Sequence, residues 1–145
     1  MCQIKILNDD QEILASFSVM KQLRPHLKKE TYLQRIRKLE KDHQYRLVAV
    51  LEQNDVVALA GFRIAENLAW GRHMYVDDLI TAEKHRKKGY AQRLFTWLLK
   101  EAEAQCCQQF HLDSGVQRYD AHRFYIKNHM NIRSHHFVKV LDERL

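Results

Sequence analysis

The chain of 145 residues is long enough for one hydrophobic core, and we predict a single domain spanning residues 1–145. A single proline, a hydrophobic share of 46% and a charged share of 29% exclude a collagenous or Gly/Pro-rich disordered chain. No apolar run approaches the roughly 18–20 residues of a membrane helix, and at the N-terminus acids arrive before any apolar h-region, so we expect neither a membrane span nor a signal peptide.

Three cysteines, two of them adjacent, argue against a disulfide framework and indicate a reducing compartment, which we expect to be the cytoplasm. The net charge of +6 suits an anionic partner such as nucleic acid, a nucleotide cofactor or an acidic surface.

The spacing of apolar residues predicts an α+β (mixed α/β) domain with helices packed against a central sheet. Asp9 followed by Glu12 is typical of a capping box at the start of the first helix, and Pro25 ends that helix. In chain order we predict a strand at 4–7, this first helix, a helix at 29–42, a hairpin of strands at 45–52 and 56–64, a strand at 73–81, a helix at 91–106, a strand at 109–113, a helix at 119–128 and a closing strand at 134–141. The helix between the strands near residues 76 and 111 predicts a crossover that joins parallel or nearly parallel neighbours.

The most informative segment is the basic loop Arg86-Lys87-Lys88-Gly89-Tyr90-Ala91 between a strand and an amphipathic helix. The first amides of a helix lack partners and lie at the positive end of the helix dipole, which favours a bound phosphate. Gly89 permits a positive φ or a close approach of the backbone to a ligand. The loop lacks both the Walker A and the G-x-G-x-x-G patterns, and it is equally compatible with a solvated basic loop that precedes a surface helix.

This loop resembles the acetyl-CoA pyrophosphate loop of the GCN5-related N-acetyltransferase (GNAT) family, whose pattern is Q/R-x-x-G-x-G/A. The A-x-x-x-Y pattern of a later helix in that family is matched by Ala121 and Tyr125. The element order also fits, so the resemblance covers essentially the whole chain. It departs from the family at Arg118, where asparagine is frequent, and at residues 128–130, where Gly-Phe is frequent. The resemblance implies a mixed, mostly antiparallel twisted sheet of about six to seven strands flanked by about four helices.

The resemblance further implies an N-acetyltransferase that moves an acetyl group from acetyl-CoA to a primary amine by direct attack in a ternary complex, without a metal. In the family, a strand segment five residues before the loop pairs with the pantetheine arm of the cofactor. Transferred to this chain, the cofactor-binding residues are Leu79, Ile80 and Thr81 on the strand and Arg86, Lys87, Lys88, Gly89, Tyr90, Ala91 and Gln92 in the loop and first turn.

Tyr125 is the candidate general acid, because a phenol can protonate a departing thiolate of similar basicity. Its alternative role is packing at the edge of the core. Asp77 and Asp78 are candidates for the general base or for binding a cationic acceptor, and either could instead be a structural carboxylate at a strand end. Since side chains alternate along a strand, only one of the two acids should point into the cleft unless a bulge intervenes. Further candidates for the cleft are Arg63, Glu66 and Asp113, of which Asp113 fits a simple turn at least as well. Trp70 and Tyr75 could line an acceptor pocket or pack in the core or at its edge.

Two other functional classes remain open from the sequence. The chain could bind acyl-CoA without catalysis, or it could be a basic nucleic-acid-binding module. We disfavour the latter because Glu30, Glu40 and Asp42 alternate with the bases of the second helix. Adjacent cysteines and adjacent histidines do not have the ligand spacing of a zinc site, so we predict no metal. The acceptor, a small-molecule or a protein amine, is left open, and terminal strands often form dimers in this family, which points to residues 137–141 as a homodimer contact.

Overall fold

The computed structural model describes residues 2–144 and confirms the α+β class, since five strands and five α-helices form within that range. Contacts within the chain define two compact units, Met1–His111 and Leu112–Leu145. The elements are β1 (Cys2–Ile6), α1 (Asp10–Ala15), α2 (Phe17–Leu23), α3 (Lys29–His43), β2 (Arg46–Glu52), β3 (Asp55–Asn67), β4 (Gly71–Thr81), α4 (Tyr90–Ala104), β5 (Gln109–Leu112) and α5 (Tyr119–Lys127), with a short 3₁₀-helix at Glu83–His85.

The strands form one sheet in the order β1-β2-β3-β4-β5. The pairs β1·β2, β2·β3 and β3·β4 are antiparallel, and the predicted hairpin of β2 and β3 is confirmed. The amide of Gln108, just before β5, donates to the carbonyl oxygen of Arg72 at 2.7 Å. Because β4 and β5 thus begin at the same end of the sheet, they run in the same direction, and α4 is the predicted crossover helix.

Both faces of the central strands are buried. Leu47 of β2 packs in a cluster with Tyr32 of α3, on the face covered by the first three helices. The next residue, Val48, points to the opposite face and is also fully buried. Leu94 and Leu98 of α4 are buried as well, and α4 contacts β2, β3 and β4. The sheet is therefore a central layer between two helical layers, which explains the nearly continuous apolar runs of β2 and β3.

The capping box predicted at the start of the first helix is present. The amide of Glu12 donates to Asp9 Oδ1 at 2.8 Å, and the amide of Asp9 donates to Glu12 Oε1 at 3.2 Å. Lys5 of β1 also pairs with the Glu12 carboxylate. The hydrogen bond from Lys5 and the amides of Asn8 and Asp9 lower the pKa of Glu12 to about 2. The cap therefore joins β1 to the helical layer through one carboxylate.

The first predicted helix is divided at Ser16, so residues 2–144 contain five α-helices rather than about four. Ser16 is fully buried, and its hydroxyl donates to the carbonyl oxygen of Ile13 at 2.6 Å. The same hydroxyl lies 2.8 Å from the Tyr32 hydroxyl. A serine that bonds to the preceding turn competes with the regular helical hydrogen bonds, which ends α1 there.

We expect Glu12→Gln to destabilise the protein at pH 7 and to have little effect near pH 2. A carboxylate whose pKa is lower in the folded than in the unfolded state stabilises the fold above about pH 4.5, and this contribution is lost as the pH falls toward the folded value of about 2. Glutamine retains the acceptor of the capping box, so the substitution removes the charge alone. Thermal unfolding between pH 2 and 7 should show a melting temperature lower by roughly 1–3 °C at pH 7, with the difference closing at low pH. A constant difference across this range would contradict the assignment.

The predicted closing strand at 134–141 is wrong. Within the described residues, positions 130–140 have no regular secondary structure, and the described sheet has five strands rather than six to seven. Phe137 is 91% exposed and Leu141 is 90% exposed. The alternating β-branched pattern marks a segment suited to a pleated surface, but a strand forms only where a neighbouring strand accepts its hydrogen bonds. The expected homodimer contact at 137–141 stays a prediction.

Candidate functional site

The basic loop between β4 and α4 has an unusual backbone. Lys87 and Gly89 both adopt the left-handed conformation, with φ of 65° and 83°. A Cβ placed on Gly89 would meet no atom within 4 Å, so the space in front of this backbone is open. Successive amides in such a turn form a concave group of donors, which is an arrangement that binds anions.

The N-terminus of α4 is not capped by a side chain. Gly89 is its N-cap residue, has no side chain to offer, and accepts the amide of Arg93 on its carbonyl oxygen at 3.2 Å. The positive end of the dipole of this 15-residue helix therefore meets the open space at Gly89. The surrounding cations are all exposed: they are Lys84, Arg86, Lys87, Lys88 and Arg93. The loop thus has the charge and the donors for a phosphate.

Other contacts fix the loop to the sheet. The Tyr90 hydroxyl donates to Glu52 Oε2 at 3.0 Å, and this hydrogen bond raises the pKa of Tyr90. Arg93 contacts the thiol of Cys2 in β1. Arg86 Nε lies 3.5 Å from the carbonyl oxygen of Thr81, the last residue of β4. Tyr90 is therefore available to a ligand through its backbone, while its side chain holds the helix start against β2.

The end of β4 extends beyond its shorter neighbour. On its inner edge, Leu79, Ile80 and Thr81 pair with Ala60, Leu59 and Ala58 of β3. On the outer edge, β5 begins beside Arg72 and is four residues long, so it spans β4 only as far as about residue 76. The outer backbone groups of 79–81, the predicted pantetheine segment, therefore lie beyond the reach of β5.

A β-bulge interrupts β4 at the two acids. Gly61 pairs with Asp78 and Phe62 with Val76, so Asp77 is the extra residue. Both carboxylates have cationic partners. Arg63 donates to both oxygens of Asp77, at 2.8 and 3.0 Å. The alternation expected for an unbroken strand does not apply here, and each acid has its own environment.

Asp78 lies in a partly buried polar network. Its Oδ1 accepts from Arg24 Nε at 2.9 Å, and its Oδ2 accepts from the Tyr45 hydroxyl at 2.6 Å. Arg24 Nη2 also donates to the carbonyl oxygen of Asp77 at 2.8 Å. Arg24 and Tyr45 lie 54 and 33 positions from Asp78 in the chain, so their part in the site was not predicted. A tyrosine before a buried strand and a glycine inside the next strand are the only local signals of this contact.

The remaining cleft candidates divide into two groups. The Arg63 guanidinium lies 5.1 Å from the centre of the Tyr75 ring, so these two form a cation–π contact beside the bulge. The Trp70 ring stacks on His111 at 3.6 Å, near the beginning of β4 and β5. Glu66 is exposed at the end of β3. The first pair adjoins the acids, whereas Trp70 and Glu66 lie at the other end of β4.

Tyr125 lies on α5 in the second unit, four residues after Ala121, and these two residues therefore share one face of the helix. Burial raises the pKa of the Tyr125 phenol. Asp113, in the same unit, has its Oδ2 3.5 Å from His136 Nδ1. Arg118, where the family often has asparagine, is the N-cap residue of α5 and makes no side-chain capping bond.

Within the described range, no group of three histidine, cysteine or acidic side chains could hold a metal ion. No helix among residues 2–144 is both long and apolar enough to cross a membrane.

Solved structures show that this is the fold of N-acetyltransferases. Glucosamine-6-phosphate N-acetyltransferase from Arabidopsis thaliana has a TM-score of 0.79 at 17% identity, over 98% of this chain and 99% of that chain. Aminoglycoside N-acetyltransferase AAC(6′)-Iy in complex with CoA has a TM-score of 0.81 at 13% identity, over 100% of this chain and 96% of that chain.

Sequence comparisons show the family to which the chain belongs. The model of the acetyltransferase (GNAT) family matches residues 10–130. A Bacillus subtilis (strain 168) protein named uncharacterized N-acetyltransferase YhdJ is 35% identical over 140 residues, which cover 96% of this chain and 99% of the relative. This chain therefore belongs to the GNAT acetyltransferase family, as its loop and its A-x-x-x-Y pattern predicted.

Proposed function

We propose that this chain transfers an acetyl group from acetyl-CoA to a primary amine by direct attack within a ternary complex. One observation carries the proposal: an open, left-handed turn at Gly89 leads into the uncapped start of α4. This anion site directly follows the segment 79–81, whose outer edge extends beyond β5. A cofactor that joins a pyrophosphate to an amide-containing arm would use both features at once.

The residues fit coenzyme A in charge and in backbone geometry. The amides at the start of α4 would receive the pyrophosphate, and the exposed cations Lys84, Lys87 and Lys88 would neutralise its charge. The pantetheine arm would pair with Leu79–Thr81 as an additional strand, through amide hydrogen bonds along the outer edge. Bound in this way, the thioester would be held beside the bulge at Asp77 and Asp78.

The reaction then requires two proton transfers. The neutral amine attacks the thioester carbonyl carbon, so that a C–N bond forms and the C–S bond breaks. Tyr125 would donate its phenolic proton to the departing thiolate, and its raised pKa keeps that proton in place at neutral pH. The proton of the attacking amine would pass to a carboxylate or to water.

Of the two acids, Asp77 is the better candidate for the base. Both acids accept hydrogen bonds on both oxygens, but the Asp77 side chain is 28% exposed and held by Arg63, whereas that of Asp78 is 14% exposed and held by Arg24 and Tyr45. Each acid is already paired with an arginine, so the bulge offers no excess negative charge to a cationic acceptor. The acceptor class, small-molecule or protein amine, therefore stays open in this proposal.

The family match at residues 10–130 runs across both compact units, which supports one acyltransferase domain over residues 1–145. Cysteines 2, 106 and 107 are free thiols, which supports a reducing location such as the cytoplasm.

We expect acetyl-CoA to raise the melting temperature. A ligand at one hundred times its Kd that binds only the folded state adds about 2.7 kcal/mol to the free energy of unfolding, which is on the order of 8 °C for a chain of this size. Acetyl-pantetheine, which lacks the pyrophosphate, should give a much smaller shift at equal concentration. Release of free thiol with a panel of amines then measures turnover.

The three functional classes give different results. Absence of a shift at saturating acetyl-CoA would contradict the proposal, and a shift with duplex DNA alone would favour a nucleic-acid-binding module. A shift without thiol release for any amine in the panel would indicate an acyl-CoA-binding protein without catalysis.

A further inference from the structure

Four residues form a polar network behind the bulge of β4, which we call the bulge network: Arg24, Tyr45, Gly61 and Asp78. Tyr45 is 3% exposed, and the Asp78 side chain is 14% exposed. The two oxygens of Asp78 accept one hydrogen bond each, from Arg24 and from the Tyr45 hydroxyl. Arg24 therefore balances the negative charge of the Asp78 carboxylate, and each carboxylate oxygen has a hydrogen-bond donor.

Gly61 makes this network possible. A Cβ at position 61 would lie 1.8 Å from the Tyr45 hydroxyl oxygen and 2.3 Å from the ring carbon that carries it. Gly61 is also the residue of β3 that pairs with Asp78. The absence of a side chain on β3 thus creates the space through which the Tyr45 hydroxyl reaches Asp78. Burial and the nearby Asp78 raise the pKa of Tyr45, so its hydroxyl stays a donor.

Arg24 connects the network to the bulge itself. It follows the last residue of α2, and its guanidinium donates both to Asp78 Oδ1 and to the carbonyl oxygen of Asp77, the extra residue. A bulge bends its strand and increases the local twist. The contacts that hold the bulge therefore determine the course of the next residues, Leu79–Thr81, and the position of the Asp77 carboxylate.

We propose that the bulge network is a positioning device for acyl transfer, which fixes the bend of β4 so that residues 79–81 and Asp77 meet the thioester in the correct geometry. This inference rests on the proposed function. Arg24, Tyr45 and Asp78 are positioning residues in it, because they act through the backbone of β4 and through Asp77. A misplacement of about 1 Å at a reacting group can reduce a rate on the order of a hundredfold.

The main test compares two buried tyrosines of the same hydrophobic cluster. Tyr45→Phe removes the hydroxyl that holds Asp78, whereas Tyr32→Phe removes a hydroxyl that lies 2.8 Å from Ser16. Tyr32 is likewise buried, at 1% exposure. We expect Tyr45→Phe to lower kcat/KM for acetyl-CoA about tenfold or more, through both a higher KM and a lower kcat. Tyr32→Phe should retain wild-type kinetics at temperatures well below its melting point.

Arg24→Ala provides a second variant with its own rescue. We expect a similar loss of kcat/KM, partly restored by millimolar methylguanidinium, which can occupy the vacated position between Asp78 and the Asp77 carbonyl. The control is Arg37→Ala, which removes an arginine of α3 that is bonded to Asp10 and Glu40. It reports any general loss of stability and any non-specific effect of methylguanidinium. If methylguanidinium restores the kcat/KM of Arg24→Ala and has no effect on Arg37→Ala, the result supports a positional role for Arg24.

Hydrogen exchange of the β4 peptide separates this inference from the proposed function. Amide exchange at residues 77–81 should be faster in Tyr45→Phe than in Tyr32→Phe, whether or not an acceptor amine has been found. If the two variants have equal exchange there, or equal kinetics with acetyl-CoA, the positioning role is wrong while the proposed function stands. If wild-type protein neither binds acetyl-CoA nor releases thiol, the proposed function fails, and faster exchange in Tyr45→Phe would still establish that the network holds the bulge.

Discussion

Replacing Gly89 with valine is expected to abolish the thermal stabilisation by acetyl-CoA. Gly89 has φ of 83°, and a β-branched residue in this region is strained by roughly 1–3 kcal/mol. A valine would therefore either destabilise the loop or rotate the backbone, and rotation moves the first amides of α4 away from the phosphate. Thermal unfolding with and without acetyl-CoA measures the effect, and the melting temperature of the free protein reports the strain separately.

Asparagine at the same position is the matched control, because it tolerates the left-handed region better than other residues. A Cβ at position 89 meets no atom within 4 Å, so both substitutions begin from open space and differ chiefly in backbone preference. If Gly89→Asn keeps a partial shift and Gly89→Val has none, the backbone conformation is what the ligand requires. Equal loss in both would indicate that the ligand itself occupies the open space. A full shift in the valine variant would contradict the phosphate-loop assignment.

Tyr125→Phe is expected to lower kcat by about 10²–10⁴-fold and to leave the affinity for acetyl-CoA nearly unchanged, since general acid catalysis contributes a factor of this size. Burial raises the pKa of the phenol. Activity that requires the protonated phenol persists until the pH rises through this raised pKa, so the alkaline decrease in wild-type kcat should be missing in the variant.

Tyr119→Phe is the control for this substitution, because Tyr119 begins the same helix and is 66% exposed. It should retain wild-type turnover. Unchanged turnover in Tyr125→Phe would exclude Tyr125 as the general acid, and an equal decrease in both variants would assign the effect to α5 as a whole.

Features encoded by neighbouring residues could be predicted from the sequence. The capping box depends on Asp9 and Glu12 alone, and the basic loop and the start of α4 depend on a short run around Gly89. Helices with one apolar face, such as α4, are specified by spacing within the segment itself. These elements appear in the structure within a few residues of their predicted ends.

Features that depend on a distant partner could not be predicted. The segment at 134–141 has the composition of a strand, but its sequence does not say whether another strand will pair with it. Ser16 fits the helical spacing, and its division of the helix depends on contacts with Ile13 and Tyr32. The partners of Asp78 lie in three other parts of the chain. The two acids could therefore be located on a strand, but nothing in the sequence indicates which of them is the less exposed.

Residues 79–81 of β4 extend beyond the end of β5, and this has a consequence for the protein in solution. Unpaired strand edges are templates for pairing with other chains, and proteins commonly protect them with charge and irregular backbone. Here the bulge precedes residues 79–81, and the lysines and arginine of 84–88 follow them, so two copies that approach edge to edge bring like charges together. We therefore expect the cations suited to a phosphate to protect this edge against aggregation as well, so a mutation that removes them should weaken solubility and ligand binding at the same time.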